Sequence, residues 1–337
     1  MAEPGQSSPA AVSDAETELV DLRRRIDEVD QKILERLNDR ARLVQEVGEF
    51  KKAHQTSVYA AARELEIVNR LEAANPGPFP SAGLGPVFRE IISSTRSLES
   101  VLRVAYLGPE GTFSHLAASR QFGNLAELTP VPSLADVFAA VERGRADLGI
   151  VPVENTTQGV VTETLDAFAG SELTICGESL LRISQDLFSR SGRLEDVRRL
   201  ASHPQPLAQC RQWLDRNLAD AERVETASTA AAAQAAAEDE SVAAIGSAMA
   251  GRAYELCTIE ASIEDRADNT TRLLVLGTRE HEARGNDLTS AVFTVRKDQA
   301  GALYRLIEPF ARAGVSLTSI QQRPIQGKPW EYLFFVD

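Results

Sequence analysis

The sequence has little cysteine. Three thiols, Cys176, Cys210 and Cys257, occur in 337 residues, and none belongs to a CxxC pair. That argues against a disulfide framework and a zinc knuckle, and it fits a reducing cytosol. Positive charge is also short: 36 Lys+Arg stand against 49 Asp+Glu, a net charge of −13. Such a chain is a poor general binder of nucleic acid or anionic membrane. An anionic substrate would need a local cluster of cations working against that field. No apolar run approaches the roughly 18 residues needed to cross a bilayer. The start, MAEPGQSSPA, has neither the basic nor the apolar region of a signal peptide. No His/Cys/Asp group has ligand spacing, so neither a metal nor another cofactor is expected. What is present, 43% hydrophobic and 25% charged residues, is ordinary for a globular chain, and the length suggests two or three domains.

Residues 1–12 are Pro, Ser, Ala and acidic residues without period, read as a disordered tail. From Thr17 to Lys52 there is no Pro and one Gly, Gly48, with apolar residues in steps of three and four. That spacing predicts a helix, roughly 50–55 Å long at 1.5 Å per residue. A small domain cannot cover such a length, so a helix of a second chain is expected along it. A second helix is expected at 58–74, a loop over NPGPFPSAGLGP (75–86), and a third helix over VFREIISSTRSLE. Residues 13–100 thus form an all-α domain. From 103 to 279 short apolar strands alternate with helices, the pattern of α/β lobes with mainly parallel sheets. After a polar break at 278–287, residues 288–337 read β-α-β-β. The Ala run at 230–237 is a helix by propensity.

The first helix carries an anomaly. Arg40 and Lys51 fall where its stripe should be apolar. They either snorkel to the surface or face an anion inside the bundle. The segment LRRRIDEVDQKILERLNDRARLVQEVGEFKK resembles the first helix of the all-helical chorismate mutases, in which the helices of two chains intertwine. The resemblance implies that Arg23 serves the site of the partner chain and that Arg40 and Arg63 bind the carboxylates of chorismate. It implies further that Lys51 donates to the ether oxygen and that Glu64 accepts from the substrate hydroxyl. A pericyclic rearrangement needs only a held conformer and positive charge at the breaking bond. Two departures stand out. Ala60 replaces the family's Asp. In the third helix, Thr95 and Glu99 replace its Ser and Gln. An ionised Glu99 accepts only, so mutase turnover is expected to be weak at neutral pH and to improve as pH falls.

In the α/β segment four helix starts carry hydroxyls: GTFSH, SLAD (Ser133), SHPQ (Ser202) and ASTA (Ser228, Thr229). Each could be plain capping. Together they suggest an anion-binding crevice. The pieces VAYLGPEGTFSHLAA, VPVENTTQGVVTETLD, SHPQPLAQC, STAAAA, AAIGS and IEDRADNTTRLLVLG resemble prephenate dehydratase, in order, over about 175 residues. The resemblance implies two periplasmic-binding-protein-like lobes, 103–181 with 259–279 and 182–258, and a site between them. There Thr271 would hydrogen-bond the leaving hydroxyl and Arg272 would anchor a carboxylate. Asn155, Ser202, Gln205, Ser228 and Thr229 would bind prephenate, and Glu154 would order the cleft. Leu273 and Gln185 stand where the family often has Phe and His. His115 and His203 are read as structural.

The last unit resembles the phenylalanine-sensing ACT domain. Its two motifs occur as Gly301-Ala302-Leu303 and as Gln321-Gln322-Arg323-Pro324. The family's second helix and fourth strand are not in this sequence, so phenylalanine as an effector stays open. The leading expectation is a cytoplasmic, bifunctional homodimer or higher oligomer. A dehydratase with a non-catalytic helical segment, and a two-lobed anion sensor without turnover, are the alternatives.

Overall fold

The structure, a computed structural model, describes residues 14–54, 61–279, 285, 287–295, 299–325, 327, 328 and 330–337. The expected tail and Ala60 lie outside these residues. Three helices open the chain: α1 (Asp14–His54), α2 (Ala61–Ala74) and α3 (Ser81–Arg96). α1 has 41 residues and is about 60 Å long. Its apolar stripe is bare: Leu22, Ile26, Val29 and Ile33 are 45%, 58%, 52% and 52% exposed. Gly48 is buried because the Glu99 side chain packs on it; a Cβ there would meet Glu99 Cγ at 2.8 Å. α3 begins inside the segment expected to be a loop and carries Pro86 within it. Packing overrides the turn signal: Gly85 is buried and lies against Val68 of α2. Glu99 lies in the turn beyond α3.

The next segment forms two lobes. The first holds β1 (Arg103–Leu107), α4 (Phe113–Phe122), β2 (Glu127–Val131), α5 (Leu134–Glu142), β3 (Leu148–Asn155), β4 (Gly159–Val160), α6 (Thr162–Phe168) and β5 (Thr174–Arg182). The chain then crosses to β6 (Asp186–Ser189), β7 (Arg199–Ser202), α7 (Pro204–Gln209), α8 (Arg211–Asn217), β8 (Glu222–Glu225), α9 (Thr229–Glu238), β9 (Val242–Gly246), α10 (Ala248–Ala253) and β10 (Cys257–Glu260). It returns as β11 (Thr270–Gly277), which inserts between β3 and β5. β10 pairs with β6 in the second lobe, so the return falls beyond Glu260 rather than at 259. The sheets are mixed, not mainly parallel. β1 pairs parallel with β2 and β3, but the returning β11 runs antiparallel to both neighbours. Strand alternation fills both faces of the first sheet. Val104, Ile150, Leu273 and Val275 belong to one core, and Ala105, Val151, Leu274 and Leu276 to the other.

The last unit contains β12 (Ala291–Thr294), α11 (Ala302–Arg312), β13 (Ile320–Pro324) and β14 (Tyr332–Val336). Its antiparallel sheet has the order β12-β14-β13. Two partly buried ion pairs fasten it to the first lobe. Arg323 grips Asp166 of α6 through two bonds of 2.7 and 2.5 Å, and Asp337 accepts from Arg272 at 2.7 Å.

Candidate active sites

A cavity of about 320 Å³ lies between the two lobes. Pairing of β3 with β11 slips between Arg272 and Leu273, leaving Val153 as the extra residue of a bulge. A bulge re-aims the side chains beyond it. Pro152 and Asn155 therefore both line the cavity, opposite Leu273 and Thr271. Asn155 is buried and its Nδ2 donates twice, to Asn269 Oδ1 at 2.9 Å and to Thr271 Oγ1 at 2.8 Å. The Thr271 oxygen is thus an acceptor already, and its own proton is available to a ligand. Asn155 Oδ1 in turn accepts from the Thr157 amide at 2.9 Å and hydroxyl at 2.6 Å.

Three helix N-termini converge on the same space. Thr112 caps α4, His203 caps α7 and Ser228 caps α9, each side chain accepting a backbone N–H. All three line the cavity, with Gln205 and Thr229 beside them. Among the described residues that line it there is no Lys, Arg, Asp or Glu. Helix N-termini and side-chain amides, not the expected cation cluster, are the groups there that favour an anion. The lobes also touch across it: the Ser247 hydroxyl donates to the Gly111 carbonyl at 2.9 Å, and Gln209 Nε2 to Thr157 Oγ1 at 3.3 Å. The Gly111 N–H donates to His115 Nδ1 at 3.0 Å, so His115 supports the loop before α4. Burial lowers the His115 pKa, and the Glu110 charge opposes that shift.

Four expected positions stand elsewhere. Successive strand residues face opposite ways, so Arg272 leaves the cleft on the far side of β11 from Thr271. There it binds Glu178 at 2.8 Å and Asp337 at 2.7 Å. Burial works against its charge, but those two carboxylates raise its pKa on balance. Glu154 sits beside it in register, also outside the cleft. Ser202 is buried and donates to the Ile245 carbonyl at 2.7 Å. Ser133 caps α5 and does not line the cavity. Two contributors were not singled out as site residues. Asn269, 2% exposed, holds Asn155. Gln185, 1% exposed, lines the cleft and donates to Gln209 at 3.0 Å. The DNTTR run flanking Thr271 was the available signal for Asn269.

In the helical domain Arg40 donates to the Thr95 hydroxyl. Burial lowers the Arg40 pKa, with the Glu64 charge opposing. Lys51 Nζ lies 3.6 Å from Glu99 Oε2, and the Glu99 side chain is 5% exposed. Glu64 accepts from Arg96 at 2.6 Å. Burial raises the Glu64 pKa, against the charges of Arg96, Arg89 and Arg40. Arg23 is exposed. Arg63, next to Glu64, points outward and pairs with Glu66 at 2.7 Å. Within one chain these two arginines do not join Arg40 and Lys51. In the last unit Gly301, with φ 73°, caps α11 ahead of Ala302 and Leu303, while Pro324 ends β13 after Arg323. Among the described residues no cluster of His, Cys, Asp or Glu could hold a metal ion.

A three-helix domain, a two-lobed α/β domain with a polar cleft and a βαββ unit define the architecture. Residues 22–100 match chorismate mutase type II, 104–281 prephenate dehydratase and 289–337 the ACT domain. The bifunctional chorismate mutase/prephenate dehydratase of Aquifex aeolicus is 44% identical over 324 residues, covering 95% of this chain and 89% of that protein. Its namesake in Pseudomonas aeruginosa is 41% identical over 322 residues, covering 94% and 88%. A crystal structure of prephenate dehydratase from Arthrobacter aurescens in complex with L-Phe is 34% identical with a TM-score of 0.65. It covers 70% of this chain and 79% of that one. The chain belongs to the bifunctional chorismate mutase/prephenate dehydratase family.

Proposed function

We propose that this protein converts chorismate to prephenate in its helical domain and prephenate to phenylpyruvate in its cleft, within phenylalanine biosynthesis. The observation that carries the second step is the Asn155–Thr271 hydrogen bond at the meeting point of three helix N-termini. Helix termini bind the carboxylates of prephenate. The Thr271 O–H donates to the ring hydroxyl as its C–O bond breaks. Electrons from the breaking carboxylate bond enter the ring, carbon dioxide departs, and the hydroxyl leaves as water with a proton from solvent. Aromatisation supplies most of the driving force. The protein has only to hold the anion and stabilise the leaving oxygen.

For the first step, Arg40 reaches Thr95 of α3 and Lys51 faces Glu99, and the bare face of α1 calls for a second chain. The working form is a homodimer or a larger assembly in which Arg23 completes the site of the partner chain. Three free cysteines fit a cytosolic protein, and among the described residues no helix is long and apolar enough to cross a membrane. Phenylalanine is the proposed effector of the βαββ unit. The full chain is incubated with chorismate and, separately, with prephenate. Phenylpyruvate from both is expected. Phenylpyruvate from prephenate alone removes the mutase step, and none from either removes the whole reading.

A further inference from the structure

Arg96 stands at the seam between the helical domain and the first lobe. It ends α3, and its side chain is 7% exposed. Nη1 donates to Glu64 Oε1 at 2.6 Å, and Nη2 donates to the carbonyl of Phe122, at the end of α4, at 2.9 Å. A guanidinium is a planar fork with fixed donor directions, so the two bonds set the Glu64 carboxylate relative to the α/β domain. The seam is tight around it. Gly123 has φ +79°, and a Cβ there would meet Ser93 of α3 at 2.6 Å. The Asn124 N–H reaches Glu90 Oε2 at 3.4 Å. The charges facing Glu64 are Arg96 and Arg89 from α3 and Arg40 from α1. A carboxylate accepts at both oxygens, so Glu64 can be held by Arg96 and still receive a substrate hydroxyl.

We propose that Arg96 is a positioning residue of the mutase site. It orients Glu64 toward the substrate and anchors that orientation on the first lobe of the dehydratase domain. The inference rests on the mutase reading above. It makes the second domain part of the scaffold of the first site.

The test uses the full chain with Arg96→Met and Arg96→Lys. Phenylpyruvate formation from prephenate on the same preparations reports folding. With Met, kcat for chorismate is expected to fall about 10- to 100-fold while KM changes less than about threefold. The acid limb of the mutase profile should also move to higher pH. Arg96 opposes the upward pull of burial on the Glu64 pKa; without it, the accepting ionised form is lost sooner as pH drops. Lys keeps the charge, so its limb should move less. In a cycle with Glu64→Gln, the double variant should be no slower than Glu64→Gln alone. If both folded variants keep the parent kcat and acid limb, or their costs add to that of Glu64→Gln, the proposal is overturned and the mutase reading stands. If the parent chain does not turn over chorismate, both fall.

Discussion

Thr271 and Arg272 are neighbours with opposite expected phenotypes. Thr271→Val removes the hydroxyl proposed above to donate to the leaving group. Losing a single donor to developing negative charge costs about 2.7–4 kcal/mol, or 10²–10³ in kcat. The same change strips Asn155 Nδ2 of an acceptor at 2.8 Å in a buried setting. An unsatisfied buried donor costs about 1–3 kcal/mol of stability, so melting should fall by a few degrees. Thr271→Ser keeps the donor and should lose less than about tenfold. Arg272→Met faces the other way. It loses its bonds to Glu178 and Asp337, about 1–3 kcal/mol of stability, with kcat from prephenate within about threefold of the parent. Steady-state phenylpyruvate formation, with kcat and KM separated, and thermal unfolding are the two assays. A Val variant within tenfold of the parent, or a Met variant as slow as the Val variant, refutes the facing assigned to β11.

Other perturbations bear on the remaining sites. Glu99→Gln puts a donor where a carboxylate now stands beside Lys51, so prephenate formation at pH 7.5 should rise about tenfold or more; an unchanged rate sinks the role given to Glu99. Burial sets the His115 pKa below its ordinary value near 6.5. The unfolded chain therefore binds more protons below that pH, stability falls as pH drops through the window beneath about 6.5, and His115→Asn should flatten that slope in melting curves. Ile26→Asp with Ile33→Asp places two charges on the bare stripe of α1; sedimentation should show monomers and prephenate formation should vanish, and an unchanged assembly removes the intertwined pairing.

The domain order and the fold classes were legible because each rests on local periodicity. The long helix announced itself by its spacing, and the α/β segment by alternating apolar runs and capped helix starts. The start of α3 was not legible. A Pro- and Gly-rich run signals a turn, yet the helix starts within it, at Ser81. The return to the first lobe was implied by the resemblance, but the insertion of β11 antiparallel between β3 and β5 was hidden, because strand pairing is a long-range property. For the cleft, the motif residues were findable but their facing was not. The bulge at Val153 decides that Asn155 enters and Glu154 does not. Strand alternation, applied to Thr271 and Arg272, could have separated that pair from sequence alone.

That separation has a consequence for control. The hydroxyl of Thr271 and the guanidinium of Arg272, which pairs with Asp337 of the C-terminal unit, hang from consecutive backbone positions, about 3.8 Å apart. A tilt of that unit would reach the hydroxyl through one peptide plane, with no loop or hinge between. The capped helix ends proposed to hold the carboxylates lie on other elements and would stay put. An effector acting through this lever should throttle turnover while leaving substrate affinity nearly untouched, a distinction that rate curves recorded with and without phenylalanine resolve directly.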